Sequence, residues 1–230
     1  RIAADGAEEF VRAASLSNTG GQLAAGQTLR ADIGGNLDNS KGIIAANRQV
    51  NLGSGSLQNS DGQISAVLDG IRISTRAGLL DNGQGRIEAA ESLDISGQGI
   101  VNASGSISAR AIRADSSGYA FDNRGGQLTA IDQLTLVSGA LDNHAGTLQA
   151  GRELFVDTGG QALLNTGSGT SAGIFSQGRI TLLSGLLDNS AGFIGASRDI
   201  RLQAGPLVNR DGGAISTETS LDATLSAFDN

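Results

Sequence analysis

The sequence predicts an all-β fold: one right-handed parallel β-helix, a solenoid of about ten ~20-residue coils with an internal Asn ladder. Three features point to it. An Asn with an apolar residue two positions before it recurs every 20 to 24 residues. The same template of Gly and apolar positions follows each Asn. No segment keeps the i, i+3, i+4 spacing of an amphipathic helix over the ~10 residues a helix requires.

The recurring residues are Asn18, Asn39, Asn59, Asn82, Asn102, Asn123, Asn143, Asn165, Asn189 and Asn209, with Asn230 opening a further unit. Two positions earlier stand Leu16, Leu37, Leu57, Leu80, Ile100, Phe121, Leu141, Leu163, Leu187 and Leu207. After Asn39 come Gly42, Ile44, Ala46, Val50 and Leu52; after Asn123 come Gly126, Leu128, Ala130, Leu134 and Leu136. After Asn189 come Gly192, Ile194, Ala196, Ile200 and Leu202.

Apolar positions two apart mean strands, because side chains alternate across a strand. Each unit therefore holds two short strands and a shorter third ending at the Asn. Gly, Ser, Asn and Asp mark the corners. One such coil buries too little apolar surface to offset the entropy of ordering its backbone, so coils must stack and share an interior. Parallel crossovers are right-handed, which sets the expected hand. Each Asn lies in phase with the inward Leu, so its amide should point into a corner and pair with backbone or with the next Asn. A buried amide without partners is costly. Asn tolerates the left-handed backbone of tight corners, and the Gly three residues on is expected to take a positive φ at the next bend.

The domain reading is a single continuous repeat domain over residues 1–230. Residues 1–15 form a partial irregular coil, residues 166–173 an insertion loop and residues 228–230 the start of a further coil. The pattern begins and stops mid-unit, and no polar cap is visible, which predicts a piece of a longer array. The unit from Asn59 to Asn82 carries three extra residues, split between Val67–Gly70 and Thr75–Leu79. The plain reading of both expansions is loop growth on a rigid scaffold; the sharper one is a bump on which a partner docks.

Composition narrows the function. There are 35 Gly, 1 Pro, 6 Phe and 1 Tyr, with no Trp, Cys or Met. Small and branched residues must therefore fill a narrow interior, and no disulfide or thiolate chemistry is available. The net charge is −7, without a basic run, so nucleic acid is not an expected partner. No apolar stretch reaches the ~18 residues of a membrane-spanning helix, so no membrane insertion is expected. The chain is expected to be a monomer.

The position before each ladder Asn should face outward. Asp122 and Asp142 fall there in adjacent coils, so their carboxylates can lie on the order of 5 Å apart. Arg124 and His144, the single His, stack beside them. This cluster is the one candidate for acid–base chemistry or a cation. The competing reading is stronger: Asp in a corner bonds its own turn backbone, and Arg124 offsets the paired charge. No zinc spacing, phosphate loop, nucleophile elbow or glycine-rich Ca²⁺ nonapeptide is present. The expectation is no enzyme, no cofactor and no metal. Phe155, Phe175 and Phe193 sit beside core positions, and at least one is expected to be solvent-exposed.

The coil Leu-Asp-Asn-x-x-Gly-x-Leu/Ile-x-Ala-x-x-x-Leu-x-Leu, clearest over Leu141–Val156, resembles the filamentous haemagglutinin repeat. The resemblance spans nearly the whole chain and is weaker over residues 1–15 and 166–173. It implies a large exoprotein of a Gram-negative bacterium, exported by two-partner secretion, secreted or held at the cell surface. Such proteins include adhesins and the toxin-delivery proteins of contact-dependent growth inhibition. The implied role is a structural shaft presenting distal adhesive or toxin-delivery domains. The alternative is a shaft surface that itself binds a host or bacterial cell-surface receptor or glycan; a carbohydrate-active β-helix enzyme is a third reading. The implied partner during export is an outer-membrane transporter, contacted through regions other than these.

Overall fold

The computed structural model describes residues 2–4, 8–76 and 78–230. Part of the irregular coil expected over residues 1–15, and Ala77 within the expansion at Thr75–Leu79, lie outside the described residues. Within them the fold is all-β: 29 strands joined in one continuous parallel sheet that winds through about eleven turns. No described helix is long and apolar enough to cross a membrane.

Each coil has three faces. In one coil these are Ile43–Ala46, Gln49–Ser54 and Ser56–Gln58. Every face pairs in register with its counterparts in the coils before and after. Ile64 pairs with Ile44 on one side and Ile87 on the other, Ile71 with Val50 and Leu93, and Leu80 with Leu57 and Ile100. Some corners are smooth enough that two faces run on as one strand, as in Gln127–Val137 and Ile200–Val208.

The template positions are the interior. Ile44, Ala46, Val50, Leu52 and Leu57 are all buried, and the pattern repeats up the stack as columns of Leu and Ile. The second inward position of the first face is a buried Ala in coil after coil (Ala25, Ala46, Ala66, Ala89, Ala109, Ala130, Ala150, Ala196). Ser176 alone interrupts this column between Ala25 and Ala196, and it is buried too. Phe121 fills a Leu position on the third face at 1% exposure. In the first rung, Glu9 stands in register with Leu29, so a carboxylate occupies a slot held by apolar residues in later coils.

The expansions fall where the pattern placed them. Ile71 pairs with Val50 one residue later than the template, and Leu80 pairs with Leu57 two residues later again. The first leaves Val67 and Leu68 exposed, at 62% and 61%. In the longer insertion, Gly173 rather than residue 169 takes the slot beside Thr147, which puts the four extra residues at 169–172.

Candidate functional site

The ladder is unbroken. From Asn18 to Asn209 each Nδ2 donates to the Oδ1 of the ladder Asn one coil on, at 2.7 to 2.8 Å, ending on Asn230. Asn39 through Asn189 are fully buried, Asn209 is 9% exposed and Asn18, at the end of the stack, is half-buried. The second amide hydrogen reaches backbone: Asn123 donates to the carbonyls of Gly126 and Thr147, both at 3.2 Å. The amide column satisfies itself, which is why these side chains can sit in an apolar interior.

Two expectations about the corner are corrected. The ladder Asn residues do not take the left-handed backbone, and of the glycines three residues after them only Gly212 does, at φ 79°. Positive φ falls between the two, on the residue two after the Asn: Lys41, Asp61, Gln84, Ser104, Ala145, Ala191 and Asp211, with Gly20, Gly125 and Gly167 at the equivalent places. The glycines are required for space instead. A Cβ on Gly42, Gly62, Gly85, Gly105, Gly126 or Gly146 would lie 2.1 to 2.3 Å from the carbonyl oxygen of the preceding coil's Asn. It would also lie 2.6 to 2.7 Å from the Oδ1 of its own Asn. The backbone passes so close to the amide column that no side chain fits.

Asp122 and Asp142 are register partners on the third face. Arg124 lies across them, with Nη2 at 2.6 Å from Asp122 and Nε at 3.8 Å from Asp142. The same Asp residues cap their own turns: Asp122 accepts from the Arg124 amide and Asp142 from the His144 amide, each at 3.0 Å. Asp38, Asp81 and Asp188 do the same in their coils. The Arg124 guanidinium holds the Asp122 carboxyl below the usual carboxylate range, against a smaller opposing push from burial, and Asp122 in turn raises Arg124. His144 faces the other way, its Nδ1 3.0 Å from the hydroxyl of Thr166 and its ring over Gly167. Among the described residues no group of three acidic or His side chains could hold a metal ion. The arrangement is a turn-capping ion network.

The insertion is stitched into the corner by one hydroxyl. Ser168 stands where other coils have the spatially required Gly, and its Oγ accepts the Phe193 N–H at 3.0 Å. Elsewhere a Gly carbonyl takes that hydrogen bond, as Gly126 does from Thr147. The three outward Phe residues differ from expectation: Phe155, Phe175 and Phe193 are each half-buried and none is exposed. The ring of Phe193 lies over Gly195, with ring carbons 2.5 Å from where a Cβ would be.

Two features were not read from the sequence. The first is a second polar column, Ser54, Thr75, Ser116, Ser138 and Thr158, buried in the corner before the third face. Thr75 donates to the Gly78 carbonyl at 2.7 Å and Thr158 to Gln161 at 2.6 Å. Its distance from the ladder Asn is five residues in some coils and seven in others, which hid the recurrence. The second is a group of arginines, Arg152, Arg179 and Arg198, around a notch at Gly178.

Compared with known proteins, the chain matches the family model of the haemagglutinin repeat over residues 6–79 and again over residues 70–119. No curated protein and no solved structure matches the chain.

Proposed function

Because the chain carries haemagglutinin repeats of the filamentous haemagglutinin type over residues 6–119, we propose that it is a shaft segment of a secreted, cell-surface bacterial filament. The coils beyond residue 119 continue the same ladder and the same register. The shaft sets reach and presents adhesive or toxin-delivery domains at its far end. Export through a two-partner outer-membrane transporter is part of this proposal and rests on the family.

The single observation that carries the reading is the uninterrupted amide column. A spacer must resist bending and slipping between coils. Ten amide-to-amide hydrogen bonds and three ladders of backbone hydrogen bonds lock each coil to the next, through units whose lengths vary from 20 to 24 residues. With ~4.8 Å per coil, eleven rungs span roughly 50 Å.

The test uses surface display. The chain is placed between a membrane anchor and a binding domain of known target, on cells carrying a polysaccharide layer, with zero, one or two copies in tandem. A shaft gives target capture that rises with the number of copies. Capture that does not change with length would overturn the reading.

A second reading, recognition by the shaft surface itself, is favoured by a single place on the rod, the arginine-walled notch.

A further inference from the structure

The corner between the first and second faces carries a column of charges. Arg48 pairs with Asp69 at 2.9 Å. Further up, Arg110 pairs with Glu91 at 2.9 Å and with Asp132 at 3.6 Å. Backbone hydrogen bonds continue the same column from Asp132 to Arg152 and from Gly178 to Arg198. Asp69 and Glu91 are two acids in succession. From Glu91 acid and base alternate through Arg110, Asp132 and Arg152, and Gly178 then stands between Arg152 and Arg198 where an acid would continue that run.

The local sequence explains the gap. Ser176 replaces the column Ala, and its buried Oγ accepts the Gly178 N–H at 3.0 Å, which pins a tight turn. A Cβ on Gly178 would lie 1.8 Å from the Arg152 carbonyl oxygen, and one on Gly151 would lie 1.9 Å from that of Ile131. Neither position can carry a side chain, so the surface dips into a notch of about 440 Å³. Arg152, Arg179 and Arg198 wall it, with Gln133, Gln177 and Glu153. None of these three guanidiniums is ion-paired among the described residues.

We propose that this notch binds a carboxylate-bearing sugar unit, whose carboxylate takes the place of the missing acid between Arg152 and Arg198. The guanidinium fork matches a carboxylate in geometry and charge. Gln133, Gln177 and Glu153 supply the donors and acceptors that sugar hydroxyls need, and the volume is in the range of small-ligand sites. Charge selects the class. Three cations against one resident carboxylate, Glu153, leave a small local positive excess on a chain of net charge −7, which suits an anion of low charge and opposes a polysulfated chain. The inference goes beyond the shaft reading and does not depend on it.

The test is calorimetric titration of the full chain with four oligosaccharide probes. One ends in a sialic acid, one in a uronic acid, one is their neutral counterpart and one is polysulfated. Saturable binding of a carboxylated probe is expected, with none of the neutral one and weaker binding of the sulfated one. The double variant Arg152→Gln/Arg198→Gln should bind at least about tenfold more weakly, as loss of charged hydrogen bonds implies, while Arg113→Gln in another coil binds as the parent does. Melting of each variant is followed in parallel, and Arg179→Gln replaces the double variant if that one melts early. Absence of binding, equal binding of the neutral probe, or undiminished binding by the notch variants would overturn the proposal. Tighter binding of the sulfated probe would overturn the choice of carboxylate. A shaft that fails the display test yet binds the probe would separate the two conclusions.

Discussion

A Cβ on Gly105 would stand 2.2 Å from the carbonyl oxygen of Asn82, one coil below. Its neighbour Ser104 holds φ at 54° with an ordinary side chain. The two residues of one turn thus carry opposite constraints: one lacks space, the other is in a backbone region that favours glycine. Gly105→Ala is expected to destabilise by about 1–3 kcal/mol, the usual cost of forcing atoms into a packed site. Ser104→Gly should be neutral or stabilising by less than about 1 kcal/mol, since relief of the left-handed backbone is offset by added chain entropy. Thermal unfolding of the two variants checks the signs, and equal loss in both would contradict the spatial account.

Asn123 is held from both sides, accepting from Asn102 at 2.8 Å and donating to Asn143 at 2.7 Å. Asn123→Ala leaves buried amide groups of both neighbours without partners, at about 1–3 kcal/mol for each orphan. Arg124→Ala, one residue on, removes only an exposed guanidinium and should leave the melting midpoint nearly unchanged. Equal midpoints for the two variants would sink the ladder as a source of stability.

Asp122 makes a pH-dependent contribution. Its folded carboxyl is held below the usual range by Arg124, while the unfolded chain titrates near ~3.9. The contribution is therefore complete above about pH 4 and is lost as the pH falls through the lower folded value. Asp122→Asn should melt slightly below the parent near neutrality and converge with it in acid. Melting curves across this range decide, and a gap that widens on acidification would show the sign to be wrong.

Ser168 and the four residues after it exchange one corner chemistry for another. Ser168→Ala alone orphans the Phe193 N–H and should cost about 1–3 kcal/mol. Deleting residues 169–172 together with Ser168→Gly restores the standard corner, in which a Gly carbonyl accepts that hydrogen bond. The shortened chain should melt at or above the parent, because a shorter loop loses less entropy on closure. A lower midpoint would mean that the insertion supports the stack.

Much of this molecule can be read directly from its residues. The eleven-fold recurrence of Asn, the Leu two before it and the Ile/Leu–Ala pairs after it predict three faces, their inward side chains and even the places where extra residues loop out. Period-2 alternation and a repeat length leave little freedom, because a one-residue slip would turn every core side chain to solvent. The Asp122–His144 cluster was also visible, but its chemistry was not. Whether two carboxylates face a substrate or a guanidinium depends on rotamers, and the sequence does not encode those separately.

What the sequence determined alone is the periodic part: strands, register, interior and the amide column, each fixed by local alternation repeated many times. What only the tertiary structure decided lies between coils. The ladder glycines prove to be a matter of space, because the oxygen that excludes a Cβ belongs to a residue about twenty positions away. The gap at Gly178 becomes visible only when Arg152 and Arg198 are stacked on either side of it. Contacts of that kind are set by the rise of the coil and the bend of its corners, and no window of neighbouring residues contains both partners.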